Sequence, residues 1–149
     1  MRAVIQRVDH ACVKISNQEF SSINEGILLL LGVEKDDSTT DADYVLEKLI
    51  NLRIFEDDQD KMNRSLLDVN GSLMVISQFT LLGDCTKGRR PSFIKAEEPS
   101  KANELYEYFV RQATGKVSIL KTGKFQEMMK VELVNNGPVT ILLDSKKRF

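Results

Sequence analysis

Two short stretches place hydroxyl, amide and small residues where strand core would be expected: Ser77-Gln78-Phe79-Thr80-Leu81 and Asn136-Gly137-Pro138-Val139-Thr140. Thr80 offers a nucleophilic hydroxyl, but an alcohol at its ordinary pKa needs a nearby base to attack an ester. The only histidine, His10, is remote in sequence, and no Ser-His-Asp order or nucleophile elbow is present. Thr80 is therefore read as a β-favouring residue whose hydroxyl satisfies a neighbour, or as a substrate-positioning group, ahead of a covalent catalyst. Its neighbours have equally plain readings: a turn-proximal hydroxyl for Ser77, a surface amide for Gln78 and a core aromatic for Phe79.

Other chemistries find less support. Cys12 and Cys85 are the only cysteines and lack metal-ligand spacing, and a chain of 149 residues folds without a disulfide. His10 lies two positions before Cys12, which does not by itself make a Cys-His pair. Zinc needs three or four ligands, which here only scattered carboxylates would supply, so neither metal nor cofactor is expected. The net charge of -1 does not mark a general nucleic-acid binder. Local basic clusters do occur, at Lys87, Arg89 and Arg90 and again at Lys146, Lys147 and Arg148. The second is read as solvated surface.

With 42% hydrophobic residues, the chain is expected to form one domain over residues 1–149. Its first residues alternate as a strand does and carry Arg2 and Arg7, unlike a secretory leader. The longest apolar run, Ile27 to Leu31, falls far short of the roughly 20 residues that cross a bilayer. No membrane association and a soluble, cytoplasmic protein are expected.

Several elements would position the two stretches. Val4, Gln6 and Val8 share one strand face and Ala3, Ile5 and Arg7 the other, and Ala11 to Ile15 repeats the pattern, which predicts an opening hairpin or strand pair. Gly26 to Val33 reads as a buried strand. A helix follows, its stripe Ala42, Val45, Leu46, Leu49 and Ile50, with Thr39 or Thr40 as N-cap. Glu56 to Asp60 and Asn70-Gly71 read as turns. Alternation then places Leu73, Val75, Ser77 and Phe79 on one strand face and Met74, Ile76, Gln78 and Thr80 on the other. A loop from Gly83 to Pro91 precedes a second helix, which starts at Pro99 and ends at a Gly115 C-cap. Three more strands are expected over Val117 to Leu120, Met128 to Val134 and Val139 to Leu143. More strands than helices, joined by short connections, predict an α+β fold with a curved, mostly antiparallel or mixed sheet.

The two stretches, in this order and at this separation, resemble the signature motifs of the D-aminoacyl-tRNA deacylases. The resemblance extends through Met1 to Val8, Leu30 to Val33, Asn51 to Asp57, Lys61 to Asn63, Ser65 to Val69 and Lys87 to Phe93. It implies a barrel-like sheet with helices outside it, and a homodimer with active sites at the subunit interface. The activity implied is hydrolysis of the ester of D-aminoacyl-tRNA, with some glycyl-tRNA also cleaved. Ser77 to Thr80 would hold the terminal adenosine and the ester. Backbone N–H groups there would stabilise the oxyanion, and the free ribose hydroxyl beside the ester would assist water.

An X-Pro bond is cis in only about 5–6% of cases, yet the resemblance implies a cis bond at Gly137-Pro138 that presents carbonyls to the neighbouring subunit's pocket. Those carbonyls would hold the substrate ammonium and exclude an L side chain. Val139 and Thr140 would maintain that loop and Met129 would line the pocket. Arg7 is read either as a brace beneath the loop or as an exposed strand arginine. Lys87, Arg89 and Arg90 would contact tRNA phosphate. The chain departs from the family pattern at Gln126 and Glu127, where a small Gly-Ala pair is usual, and at Asn136, where Asp is usual. Two other readings compete: a dimeric nucleic-acid-binding module without hydrolase activity, and a small-molecule hydrolase with Thr80 as nucleophile.

Overall fold

The opening strand runs on through a slip in its alternation after Val8, so the two expected strands are one long strand, β1 (Arg2–Ile15), in the computed structural model, which describes residues 1–149. The chain reverses only afterwards. Ser16 and Asn17 take left-handed backbone angles, φ 52° and 61°, and lead into β2 (Gln18–Ile23), antiparallel to the second half of β1. The first half of β1 pairs on the same side with β3 (Gly26–Gly32). Beyond β3 lie β6 (Ser72–Ser77) and β7 (Ile119–Thr122), which run parallel to their neighbours. The sheet is therefore mixed, in the order β2-β1-β3-β6-β7, with a last strand, β8 (Lys130–Asp144), along the other side of β1. Ser21 Oγ of β2 donates to the carbonyl of Thr122 in β7 at 2.7 Å. That bond joins the two ends of the order and makes the sheet nearly closed and barrel-like.

The parallel strands β3 and β6 are covered on both faces, as their apolar runs require. Ile27, Leu29, Leu31, Leu73 and Val75 meet the two helices, whereas Leu28, Met74 and Ile76 join Val8, Ala11 and Val13 in a smaller core on the opposite face. The helices are α1 (Thr39–Asn51) and α2 (Pro99–Ala113), and a two-stranded ribbon of β4 (Phe55–Glu56) and β5 (Met62–Arg64) follows α1. Neither helix is long and apolar enough to cross a membrane. Ser38, not Thr39 or Thr40, caps α1: its N–H and hydroxyl both donate to the Asp41 carboxylate, at 2.9 and 3.0 Å. Thr114 is the C-cap of α2, one residue earlier than expected, and Gly115 follows it at φ 83°. β7 begins two residues later than the strand expected from Val117.

The basic tail is exposed, as its sequence suggested, yet two of its cations are tied down by ion pairs. Arg148 bridges the buried carboxylates of Glu34 and Asp144, and Lys146 reaches Asp37 at 3.3 Å. Burial of those acids between β3, α1 and the end of β8 is what draws the tail in. The hydrogen bonds from Arg148 hold the Glu34 carboxyl below its usual range against the opposing effect of burial. Because its folded-state pKa is depressed, the Glu34 contribution is present above the ordinary glutamate value and is lost as pH falls through the folded value. Stability measured by chemical denaturation should therefore decline from about pH 5 toward pH 3, and Arg148→Met should flatten that decline. An unchanged slope in the variant would assign the acid sensitivity elsewhere.

Candidate active site

The strand expected to carry the whole first stretch ends early. β6 stops at Ser77, and Phe79–Leu82 forms a 3-10 turn whose last residue, Leu82, is buried. Gly32 permits this: a Cβ there would lie 2.6 Å from the Leu82 side chain and 3.0 Å from the Gln78 carbonyl, so any larger residue would push the turn off β3. The turn rotates Phe79 and Thr80 out of the sheet. Phe79 is 56% exposed and is not the core aromatic the alternation suggested; its ring meets Phe93 edge-on at 5.1 Å between centroids. Thr80 is exposed, and its hydroxyl accepts a hydrogen bond from Gln78 Nε2. The amides of Phe79 and Thr80 open the turn and have no acceptor within it, as at any helix start.

These groups face a cleft of about 770 Å³ lined on its other sides by Phe93, Ala102, Phe125 and the segment from Gln126 to Met129. Beneath it, the buried hydroxyl of Tyr106 donates to the Val75 carbonyl at 2.9 Å and fixes β6 just ahead of Ser77. The titratable residues lining the cleft are Glu97 and Glu127, and both are paired, with Lys101 at 2.8 Å and with Lys124 at 2.9 Å. The Lys101 hydrogen bond holds the Glu97 carboxyl below its ordinary range, the wrong direction for a general base near neutral pH. His10 and both cysteines lie outside the cleft lining. The Cys12 thiol is raised by burial and by Glu19 beside it.

The second stretch lies elsewhere on the chain. The two strands expected around it form one, β8, whose pairing with β1 steps from Val8–Asn135 to Gln6–Thr140. Residues 136–139 are therefore extruded as a loop from an otherwise paired strand. The Gly137-Pro138 bond is cis, Gly137 has φ 127°, and both residues are exposed. Asn135 closes the loop: its Oδ1 accepts from the Val139 N–H at 2.8 Å and its Nδ2 donates to Thr140 Oγ1 at 3.1 Å. Arg7 is buried, which discards its reading as an exposed strand arginine. Its Nε donates to the Asn136 carbonyl at 3.1 Å, its Nη1 to the Ile54 carbonyl at 2.7 Å, and its Nη2 to Glu56 and to Asn136 Oδ1 at 3.3 Å each.

Within one chain, then, Ser77, Gln78, Phe79, Thr80 and Met129 share the cleft, whereas Gly137, Pro138, Val139, Thr140 and Arg7 do not line it. Lys87, Arg89 and Arg90 are exposed on the loop after the turn, and none forms an ion pair. Asp84 and Ser92 clasp the base of that loop through two backbone hydrogen bonds, of 2.8 and 2.9 Å. Sequence reasoning missed Phe93 and Asn135. A Pro-Ser-Phe step after a basic loop, and an amide directly before the Asn-Gly-Pro run, were the available signals.

The arrangement has two parts, a 3-10 turn at the cleft and a braced Gly-Pro loop on β8 outside it. The model of the D-Tyr-tRNA(Tyr) deacylase family matches residues 4–144, and the chain belongs to that family. It is 60% identical over 149 residues to the D-aminoacyl-tRNA deacylase of Syntrophus aciditrophicus and 56% identical to that of Clostridioides difficile, each match covering 100% of both chains. Among solved structures, the c-Myc DNA unwinding element binding protein superposes with a TM-score of 0.92 at 36% identity, over 97% of this chain and 98% of the other. A probable eukaryotic D-amino acid tRNA deacylase shares the fold, with a TM-score of 0.78 at 16% identity over 96% and 98% of the two chains.

Proposed function

We propose that this protein hydrolyses the ester of D-aminoacyl-tRNA, releasing the D-amino acid and free tRNA in the cytoplasm, and that it spares L-aminoacyl-tRNA. The observation that carries the reading is a cleft with free backbone donors at Phe79 and Thr80 and no side chain poised as a base. Such a site suits a reaction whose base belongs to the substrate. The terminal adenosine would lie against the Ser77–Thr80 segment with Met129 on the opposite wall. Water, assisted by the free ribose hydroxyl, would add to the ester carbonyl, and the Phe79 and Thr80 amides would receive the oxyanion. Collapse of that intermediate breaks the bond to the ribose oxygen, which recovers a proton as the carboxylate leaves. One oxyanion donor of this kind is worth about a hundred- to a thousandfold in rate.

Selectivity needs the Gly137-Pro138 loop, which one chain holds outside its own cleft. The proposal is therefore a homodimer in which each loop enters the partner's cleft. Its support is physical: the outer edge of β8 carries no strand partner, and Val134, Ile141 and Leu142 along it are exposed. Unpaired edges of this length are otherwise shielded in native proteins. There Gly137 and Pro138 would offer carbonyls to the substrate ammonium, with Val139, Thr140 and Arg7 holding the loop in shape.

Lys87, Arg89 and Arg90 would receive phosphates of the single-stranded tRNA end. Each such contact contributes roughly -0.7 to the slope of log affinity against log salt, so Arg89→Ala or Arg90→Ala should make the slope shallower by about that amount. Binding isotherms for tRNA at several salt concentrations measure it, and an unchanged slope with unchanged affinity would return that arginine to the solvated surface. The exposed basic loop also supports the second reading, a nucleic-acid-binding module without hydrolase activity. Incubation with matched D- and L-tyrosyl-tRNA, with the free amino acid measured directly, separates the two.

A further inference from the structure

The Gly137-Pro138 loop is held from two directions, and one of them depends on an irregularity in β1. Pairing steps from Val8–Asn135 to His10–Val134, two residues on β1 for one on β8, so Asp9 is the extra residue of a β-bulge. Burial records the same slip: Arg7 and Val8 in succession are buried, and Asp9 and His10 in succession are exposed. A bulge re-aims the side chains beside it. Here it turns the Asp9 carboxylate onto the loop, where Oδ1 accepts from Asn136 Nδ2 at 2.6 Å.

The Asn136 side chain is thus strung between opposite charges. Its carbonyl oxygen accepts from Arg7 Nη2 and its amide nitrogen donates to Asp9. A carboxamide does both, whereas an ionised carboxylate has no proton to donate. We propose that Asp9 is a positioning residue for the Gly137-Pro138 loop, and that Asp9 and Asn136 form a matched pair that sets the loop for stereochemical discrimination. The proposal rests on the reading that this loop rejects L substrates. Asp9 touches no reacting atom; it fixes Asn136, and Gly137 follows in the chain.

The charges around the pair fix the expected outcomes. An aspartate at 136 would face the Asp9 carboxylate with no proton between them, and attraction to Arg7 would offset only part of the repulsion. An asparagine at 9 would keep an acceptor for Asn136. Exchanging the two residues would restore a donor and an acceptor with the direction reversed, since the Asn at 9 would donate to the Asp at 136.

The test compares wild type, Asn136→Asp, Asp9→Asn and the double exchange, reading single-turnover hydrolysis of D- and L-tyrosyl-tRNA alongside thermal unfolding. Asn136→Asp should lower the D:L rate ratio about five- to tenfold. Asp9→Asn should leave the ratio within about threefold of wild type, and the exchange should recover it to the same range. A ratio in the exchange as low as in Asn136→Asp would overturn the matched pair. So would a ratio unchanged in Asn136→Asp while only the unfolding temperature falls, since that is a purely structural role. The wild-type ratio reports the underlying reading separately: without a D preference in wild type, both fall.

Discussion

Wild-type protein should release tyrosine from D-tyrosyl-tRNA, leave L-tyrosyl-tRNA intact and cleave glycyl-tRNA slowly, and Gly137→Ala should lose most of that discrimination. If the loop rejects an L side chain by collision, glycine presents nothing to reject, and D side chains of different sizes point away from the obstacle. A clash of about 3 kcal/mol already separates two substrates by roughly a hundredfold. Gly137 is where a single methyl group does the most harm. Its φ of 127° lies where L residues rarely go, and a Cβ would come within 2.7 Å of Val139 Cγ2 and 2.9 Å of Arg7 Nη2. Arg7 is buried and held by acceptors from two segments of the chain, so it does not simply swing aside. Backbone strain of this kind costs about 1–3 kcal/mol, which, if it falls on discrimination, corresponds to a fall in the D:L ratio of about five- to 150-fold. Initial rates with all three aminoacyl-tRNAs measure it. Efficient L cleavage by wild type, or an intact ratio in Gly137→Ala, would remove the loop from stereochemical control.

How much of this was legible in the sequence differs from element to element, for physical reasons. The helix stripe from Ala42 to Ile50 was readable because burial against one sheet face enforces a strict period. The faces of β6 were readable up to Ser77 for the same reason, and no further. Where β6 stops depends on Gly32, a residue 45 positions earlier whose missing side chain makes room for the turn. No local pattern around Phe79 encodes that, so its ring read as core. The β8 pattern failed differently: the extruded loop interrupts the alternation, so one strand looked like two. Arg7 stayed ambiguous because its acceptors, at Ile54, Glu56 and Asn136, are distant in sequence. The exposure of the tail was readable but its ion pairs were not, because only the fold brings Glu34, Asp37 and Asp144 beneath it. The two motifs themselves were visible at once. Their separation within one chain was implied by the resemblance and by no local pattern, since it depends on which edge of β1 receives β8.

Removing the free hydroxyl of the terminal ribose should cost far more activity than removing the Thr80 hydroxyl. Thr80 is exposed and its oxygen already accepts from Gln78, an amide that cannot take its proton. The only carboxylates lining the cleft are paired with lysines, and His10 lies outside it. Thr80→Ala therefore gives up a neutral hydrogen bond and a positioning contact, about two- to tenfold in rate. The ribose hydroxyl, if it supplies the proton transfer that no side chain here is placed to make, carries the contribution of a general acid–base group, about a hundred- to ten-thousandfold. Single-turnover hydrolysis of D-tyrosyl-tRNA ending in adenosine or in the corresponding deoxyadenosine, by wild type and by Thr80→Ala, gives all four rates. Loss of rate confined to the deoxy substrate, with the variant close to wild type on the natural one, places the base on the RNA. A trapped acyl-threonine, or full activity on the deoxy substrate, would instead make Thr80 the nucleophile, and a base for it would then have to come from the partner subunit.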